Sequence, residues 1–219
     1  MNAFKTVMPQ RLYEYLLAHS EPPNIVQQKL LISTLESSEI AEIQVPREQA
    51  AFLTLLVRFM AAEQIVEIGT FAGYSTLAMA LGLPPHGQLI ACDISAECSA
   101  IARDSWHAAG VANRVEVRLG PAAETLRDPP EAPDTDLVFI EADKVDYIDY
   151  WDQLVSRVRP GGILVVDKVL YYGEAAIDNP AGNARAIGAF NDRVRNDDRV
   201  ESVRLPIADG FAVARKKDL

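Results

Sequence analysis

With 219 residues, 49% of them apolar and 24% charged, the chain has the composition of one folded domain and is too short for two α/β domains. A formal net charge of −10 argues against a nucleic-acid surface, which needs clustered Lys and Arg, and disfavours a polyanionic substrate. The N-terminus lacks a signal-peptide pattern and no apolar run approaches the roughly eighteen residues that span a bilayer, so the expectation is a cytoplasmic protein without membrane contact.

The chain opens with helical periodicity. Leu12 to Leu17 is a short apolar pattern halted by Glu21-Pro22-Pro23, and Ile25 to Leu35 places apolar residues at Ile25, Leu30, Leu31 and Leu35. Both precede any strand, so residues 1–45 are expected to form an N-terminal helical extension to a single domain over 46–219. Arg47 to Ala62 reads as a helix leading into the first strand. Strands near 65–69, 88–94, 115–119, 136–142 and 161–167 then alternate with helices near 75–82, 96–109, 122–127 and 145–158. That is the βαβ rhythm of a parallel, doubly wound α/β sheet. Pro84-Pro85-His86-Gly87 and Asp128 to Pro133 are connecting loops. A helix from Ala184 to Val194 is followed by strands Val200 to Ile207 and Phe211 to Lys216, with Ala208-Asp209-Gly210 as a hairpin turn. Cys92 and Cys98 make no disulfide framework, and Cys92, inside a strand, reads as a buried reduced thiol.

One stretch stands out. Ile65-Val66-Glu67-Ile68-Gly69-Thr70-Phe71-Ala72-Gly73-Tyr74-Ser75-Thr76 passes from strand through a tight turn into helix, where an open α/β sheet binds its ligands. A dinucleotide fingerprint would need glycine at 71 and 74, which are Phe71 and Tyr74; a P-loop would follow Gly73 with lysine, and Tyr74 follows it. What remains is an acid, two glycines and the hydroxyls of Thr70, Ser75 and Thr76, with no basic residue nearby. Such a turn suits a ligand with an amino group, hydroxyls and a positive centre, which describes S-adenosylmethionine better than a nucleotide phosphate. A plain βα turn in a Rossmann-like sheet is the alternative. Asp93, 24 positions after Gly69 (93 − 69) at the end of the next strand, is placed to accept hydrogen bonds from both ribose hydroxyls. Val115 to Leu119 runs into Gly120-Pro121-Ala122, a loop placed to border an adenine.

These motifs, with Ala109-Gly110-Val111-Ala112-Asn113-Arg114, Phe139-Ile140-Glu141-Ala142-Asp143-Lys144 and Arg159-Pro160-Gly161-Gly162 following in order, resemble the caffeoyl-CoA and catechol O-methyltransferase family from about Val45 to Lys217. The resemblance implies the seven-stranded class I methyltransferase fold and a homodimer. It implies S-adenosylmethionine held by Val45, Glu67, Gly69, Thr70, Gly73, Tyr74, Ser75, Asp93, Ile94, Ala122 and Glu141. The N-terminal helices would act as a lid or a dimer contact, simple packing on the flank being the alternative.

In that family a phenolic acceptor, with a pKa of about 10, is deprotonated by a lysine beside a divalent cation held by two acids and an asparagine. Carried to this chain the lysine is Lys144 and the acids are Glu141 and Asp167, hard oxygen ligands of the kind magnesium or calcium takes. The asparagine position holds Lys168. An ammonium offers a metal no lone pair, and unit charges 4 Å apart at an effective dielectric of 20 repel by about 4 kcal/mol, doubled for a dication. The expectation is therefore no metal, with Lys168 in the cation's place, paired with Glu141 and Asp167 and directed at the acceptor oxygen. Alternatives are a Lys168 swung outward, with water completing a metal shell on Glu141 and Asp167, or a decayed site that binds cofactor without turnover. Lys144 and Lys168 are expected to depress one another's pKa. Tyr171, Tyr172 and Phe211, with Tyr147 and Tyr150, read as an aromatic wall for a planar acceptor, packing in the core being the alternative. The expected activity is O-methylation of a small hydroxylated aromatic, catechol-like or hydroxycinnamoyl-like, with a non-aromatic hydroxyl as the alternative.

Overall fold

Successive side chains of a strand point to opposite faces of its sheet, and here that alternation splits the core in two. In the fully buried strand β4 (Thr135–Ile140), Leu137 and Phe139 join one apolar cluster while Val138 and Ile140 join the other. Strand β1 (Gln64–Ile68) does the same with Ile65 against Val66 and Ile68, and β5 (Val158–Asp167) with Val165 against Leu164 and Val166. Strands covered on both faces read as continuous apolar runs, as these do. The computed structural model describes residues 8–37, 44–126 and 134–218. The parts of the N-terminal extension at 1–7 and 38–43, position 127, the loop at 128–133 and the side chain of Cys98 lie outside the described residues.

The sheet has seven strands in the order β3-β2-β1-β4-β5-β7-β6, with β2 at Gln88–Asp93, β3 at Val115–Leu119, β6 at Val200–Leu205 and β7 at Phe211–Lys216. Strands β1 to β5 pair in parallel, and β7 runs antiparallel between β5 and β6. This is the Rossmann-like, doubly wound α/β sheet that the sequence predicts. After β3 the chain returns to the other side of β1, so the carboxyl ends of β1 and β4 flank a topological switch point.

Helices cover both faces. On the first lie α3 (Arg47–Met60), α4 (Tyr74–Gly82) and α5 (Ala96–Ala108); α3 turns Ala50, Leu53 and Val57, spaced three and four apart, to the core. On the second lie α6 (Ala122–Thr125), α7 (Tyr147–Leu154) and α8 (Gly182–Arg195), the last packing Ile187, Phe190 and Val194 inward. Ahead of the sheet, α1 (Gln10–Ala18) and α2 (Ile25–Ser37) form the described part of the extension, and the Tyr13 hydroxyl ties α1 to α3 by donating to Glu48 (2.9 Å).

Several boundaries differ from the sequence reading. The helix expected over 145–158 is a 3₁₀ turn at Lys144–Asp146 followed by α7, which stops at Leu154. Strand β5 begins at Val158, three residues earlier than expected, because Val158 pairs with Thr135 across a register shift and Pro160 cannot continue a helix.

Where α7, α8 and β6 meet, buried Asp197 accepts from Trp151 Nε1 (2.9 Å), Arg193 Nη1 (3.2 Å), and Arg199 Nε (2.8 Å) and Nη2 (2.6 Å). The Arg199 hydrogen bonds hold its carboxyl well below the usual carboxylate range. A depressed acid contributes stability that is complete above the unfolded pKa, about 4, and is lost as pH falls through the folded value. Asp197→Asn should cost about 2 kcal/mol at pH 7, and its deficit in thermal midpoint against the parent should shrink below about pH 4, as a pair of melting curves across pH will record.

Candidate active site

The turn after β1 is built on the absence of a side chain. Gly69, at φ +87°, donates its N–H to Cys92 O of β2 (2.9 Å), while Glu141 N at the end of β4 donates to Ile68 O (2.8 Å). A Cβ on Gly69 would lie 1.9 Å from the Glu141 carbonyl oxygen. Only glycine permits that approach. Gly73, at φ +78°, serves packing instead. Its Cβ would meet Ala102 at 2.5 Å, and Trp106 Nε1 donates to its carbonyl (3.2 Å), so it seats α5 on α4.

Asp93 does more for the turn than expected. Its Oδ2 accepts the backbone N–H of Thr70 and of Phe71 (both 2.8 Å), and its Oδ1 accepts that of Ser95 (2.8 Å). A carboxylate has about four acceptor positions, so a ribose placed there would share an anion already engaged in shaping the loop. Glu67 is also committed. Period-2 alternation puts it on the Ile65 face, toward α4, where it is 0% exposed and accepts from Ser75 Oγ (2.6 Å) and from Thr76 Oγ1. It therefore stands behind the turn, and Ser75, not Glu67, fronts the cleft.

Two clefts meet at Gly69, Phe71 and Glu141. The larger, about 960 Å³, is walled by Asp93, Ile94, Ala122 and Tyr150; Ile94 is 77% exposed at its rim. The smaller, about 330 Å³, is lined by Gln44, Val45, Thr70, Tyr74 and Ser75. Three of the residues that line it, Gln44, Thr70 and Tyr74, carry a buried oxygen (Oε1, Oγ1 and OH) without a hydrogen-bond partner among the described residues. Buried polar atoms are rarely left unpaired, and three of them around one acidic cleft fit the ammonium and carboxylate of a methionine moiety, with the nucleoside in the larger cleft beside Asp93.

Beyond Glu141 lies a lysine pair. Lys168 Nζ, on the residue after β5, forms an ion pair with Glu141 Oε1, both side chains being nearly buried. Asp167 is 1% exposed, and its Oδ1 has no hydrogen-bond partner among the described residues. Lys144 Nζ donates to Ala142 O (2.9 Å) and Tyr147 Oη (2.6 Å). Of the mutual depression expected of the two lysines, the half that falls on Lys144 is present and the half that falls on Lys168 is not. Burial first, with Lys168 adding to it, lowers Lys144 to about 8. Burial also works against the charge of Lys168, but the Glu141 carboxylate, with Asp167 behind it, lifts its pKa above 10.5. Burial and the Asp167 charge raise Glu141 even so, against the pull of both lysines. Among the described residues no group of three or more His, Cys, Asp and Glu side chains is arranged to hold a metal ion.

The aromatic wall is only partly assembled. Tyr171 and Tyr172 pair edge to face, centroids 5.6 Å apart, and Tyr172 is 68% exposed. Phe211 is corrected to a core residue: it is 0% exposed between Phe52 and Phe139, because β7 directs it into the first apolar cluster. Tyr147 is wholly buried, and Tyr150 lines the larger cleft. Sequence reasoning missed Asp209, seen only as a turn residue. Its Oδ1 accepts Tyr172 N (2.7 Å), its Oδ2 is a buried orphan, and its carboxyl, raised mainly by burial, feels Asp167, Lys168 and Lys144. Asn191 Nδ2 donates to Val169 O (2.8 Å), holding the same loop.

Burial lifts Glu67 from 4.5 to about 8, with the hydroxyls of Ser75 and Thr76 opposing and the charges of Asp93 and Glu141 adding to it. An acid raised on folding binds more protons in the folded state between those two values, so the ligand-free chain should lose stability as pH climbs through that window. Glu67→Gln, isosteric with the protonated acid, should flatten this slope, and its thermal midpoint should gain on the parent's from pH 6 to pH 9.

Residues 18–217 match the model of a family described as O-methyltransferase. Probable caffeoyl-CoA O-methyltransferase 1 of Dictyostelium discoideum is 35% identical over 210 residues, covering 94% of this chain and 91% of that protein. The O-methyltransferase of Bacillus cereus, solved in complex with SAH, superposes with a TM-score of 0.85 at 30% identity, covering 94% of this chain and 97% of that one. TomG of Streptomyces achromogenes, an O-methyltransferase involved in tomaymycin synthesis and solved with SAM, gives 0.86 at 28% identity over 96% and 100% of the two chains. With these matches and a cleft suited to a sulfonium nucleoside, the chain belongs to the class I S-adenosylmethionine-dependent O-methyltransferase family.

Proposed function

We propose that the protein methylates a hydroxyl of a small aromatic acceptor, catechol-like or hydroxycinnamoyl-like, and that Lys168 does the work for which the resembled family uses a divalent cation. The observation that carries this reading is the Lys168 ion pair with Glu141. The donor set does not fit a dication, since one of its two acids is covered by an ammonium, so no step is assigned to a metal. When bound, S-adenosylmethionine supplies an electrophilic methyl group on a sulfonium. Residues of the chain do the rest. Lys144, at about 8, is the base. Taking a proton from a phenol of pKa about 10 is uphill by about 3 kcal/mol. An ammonium about 4 Å from the developing phenolate at an effective dielectric of 20 contributes about 4 kcal/mol. Lys168, held protonated, is suited to that offset. The exposed Tyr172 supports an open, planar acceptor site.

Lys168 sits at φ +57°, a left-handed conformation that asparagine adopts with less strain than lysine. Turnover of catechol followed by S-adenosylhomocysteine release should be unchanged in EDTA, and strict dependence on added magnesium would refute the proposal. Lys168→Asn should fold normally, lose about tenfold or more in metal-free rate and recover part of it with magnesium.

Self-association is part of the same proposal. Ile32 and Leu35 of α2 and Leu55 and Phe59 of α3 are 45–78% exposed, apolar surface of the kind an interface covers. Light scattering should give the mass of two chains, and Phe59→Glu should lower it toward one.

A further inference from the structure

Tyr147 joins three elements around the base. Its hydroxyl accepts from Lys144 Nζ (2.6 Å) and donates to the Asp167 carbonyl at the end of β5 (3.2 Å), while Lys144 Nζ also donates to Ala142 O (2.9 Å) just past β4. The bond to Asp167 fixes the polarity of this chain of contacts. With the phenolic hydrogen committed to a carbonyl, which can only accept, the Tyr147 oxygen meets Lys144 only as an acceptor. A neutral amine has two N–H bonds and one lone pair. Both N–H bonds are then occupied, by Ala142 and Tyr147, and the lone pair takes the one remaining tetrahedral position. In the ammonium form the third N–H occupies the same position, so the proton arrives and leaves along one direction.

Tyr147 has little freedom to change this. It is 0% exposed, packs edge to face on Phe190 with centroids 5.4 Å apart, and lies with its ring centroid 4.8 Å from Lys144 Nζ. Burial also raises its hydroxyl well above the ordinary 10, which keeps the donor to Asp167 protonated.

We propose that Tyr147 is a positioning residue for the methyl transfer, its hydroxyl aiming the free valence of Lys144 Nζ at the acceptor oxygen. The role rests on the reading of Lys144 as base. As the acceptor O–H breaks, its proton passes to Nζ and its bonding electrons stay on oxygen. Because Tyr147 is anchored to the strand end that carries Lys168, the base and the charge-stabilising ammonium share one reference point.

Tyr147→Phe removes a single oxygen and keeps the ring, its packing and its face toward Nζ. In the full chain, with S-adenosylmethionine and catechol as the probe acceptor, kcat should fall about 10- to 100-fold while both KM values stay within about twofold. A kcat within about twofold of the parent, or a loss confined to KM, overturns the proposal. A second measurement needs no acceptor. In protein labelled with ¹³C at lysine Cε, the two ε-protons of Lys144, assigned with Lys144→Arg, should be resolved in the parent and merge in Tyr147→Phe. A pair that stays resolved in the Phe variant overturns the proposal even if catechol is not turned over. Full turnover by Lys144→Met would instead remove the base, and the NMR result would still decide whether Tyr147 holds the amine.

Discussion

The backbone contact between Gly69 and Glu141 governs the rest of the site. A Cβ at Gly69 would lie 1.9 Å from the Glu141 carbonyl, so the ends of β1 and β4 meet as closely as they do only because one of them carries no side chain. From that approach follow the sharp exit of the chain into α4, the commitment of the Asp93 carboxylate to the N–H groups of Thr70 and Phe71, and the delivery of Glu141 to the point where two clefts join. The switch point of the sheet supplies a crevice, and glycine makes its floor narrow enough to be lined by backbone.

Charge is distributed in that crevice by burial as much as by pairing. Asp93, Glu141, Asp167 and Asp209 outnumber Lys144 and Lys168, and burial or mutual repulsion raises Glu141 and Asp209, as burial raises Glu67 behind the turn. An acidic, poorly solvated cleft favours a ligand bearing positive charge, as a sulfonium does. The lysines divide: one is kept charged by a carboxylate on its nitrogen, while the other is lowered toward neutrality by burial.

The loop that presents Lys168 is strained. Lys168, Tyr171 and Tyr172 all have positive φ, each costing about 1 kcal/mol for a residue with a side chain. The β6–β7 turn and α8 offset it: Val169 N and Leu170 N donate to Gly210 O and Asp209 O, Asp209 accepts Tyr172 N, and Asn191 holds Val169 O. Strain concentrated at a site and held from elsewhere is common where orientation matters more than local stability.

The order of strands and helices and the turn at Gly69 were legible in the residues, because side-chain periodicity and glycine spacing are local properties of the chain, whereas Glu141, Lys144, Asp167 and Lys168 were singled out by the family resemblance. Tertiary structure decided matters of contact. Gly73 became a packing glycine, Glu67 turned to Ser75 and Thr76, Phe211 went into the core, and Asp209 rose from a turn residue to a neighbour of the lysines. Spacing says which face of an element a residue occupies, whereas hydrogen-bond direction and the burial of charge depend on groups from distant elements. Lys144, Tyr147 and the Asp167 carbonyl meet only once α7 has packed against the ends of β4 and β5.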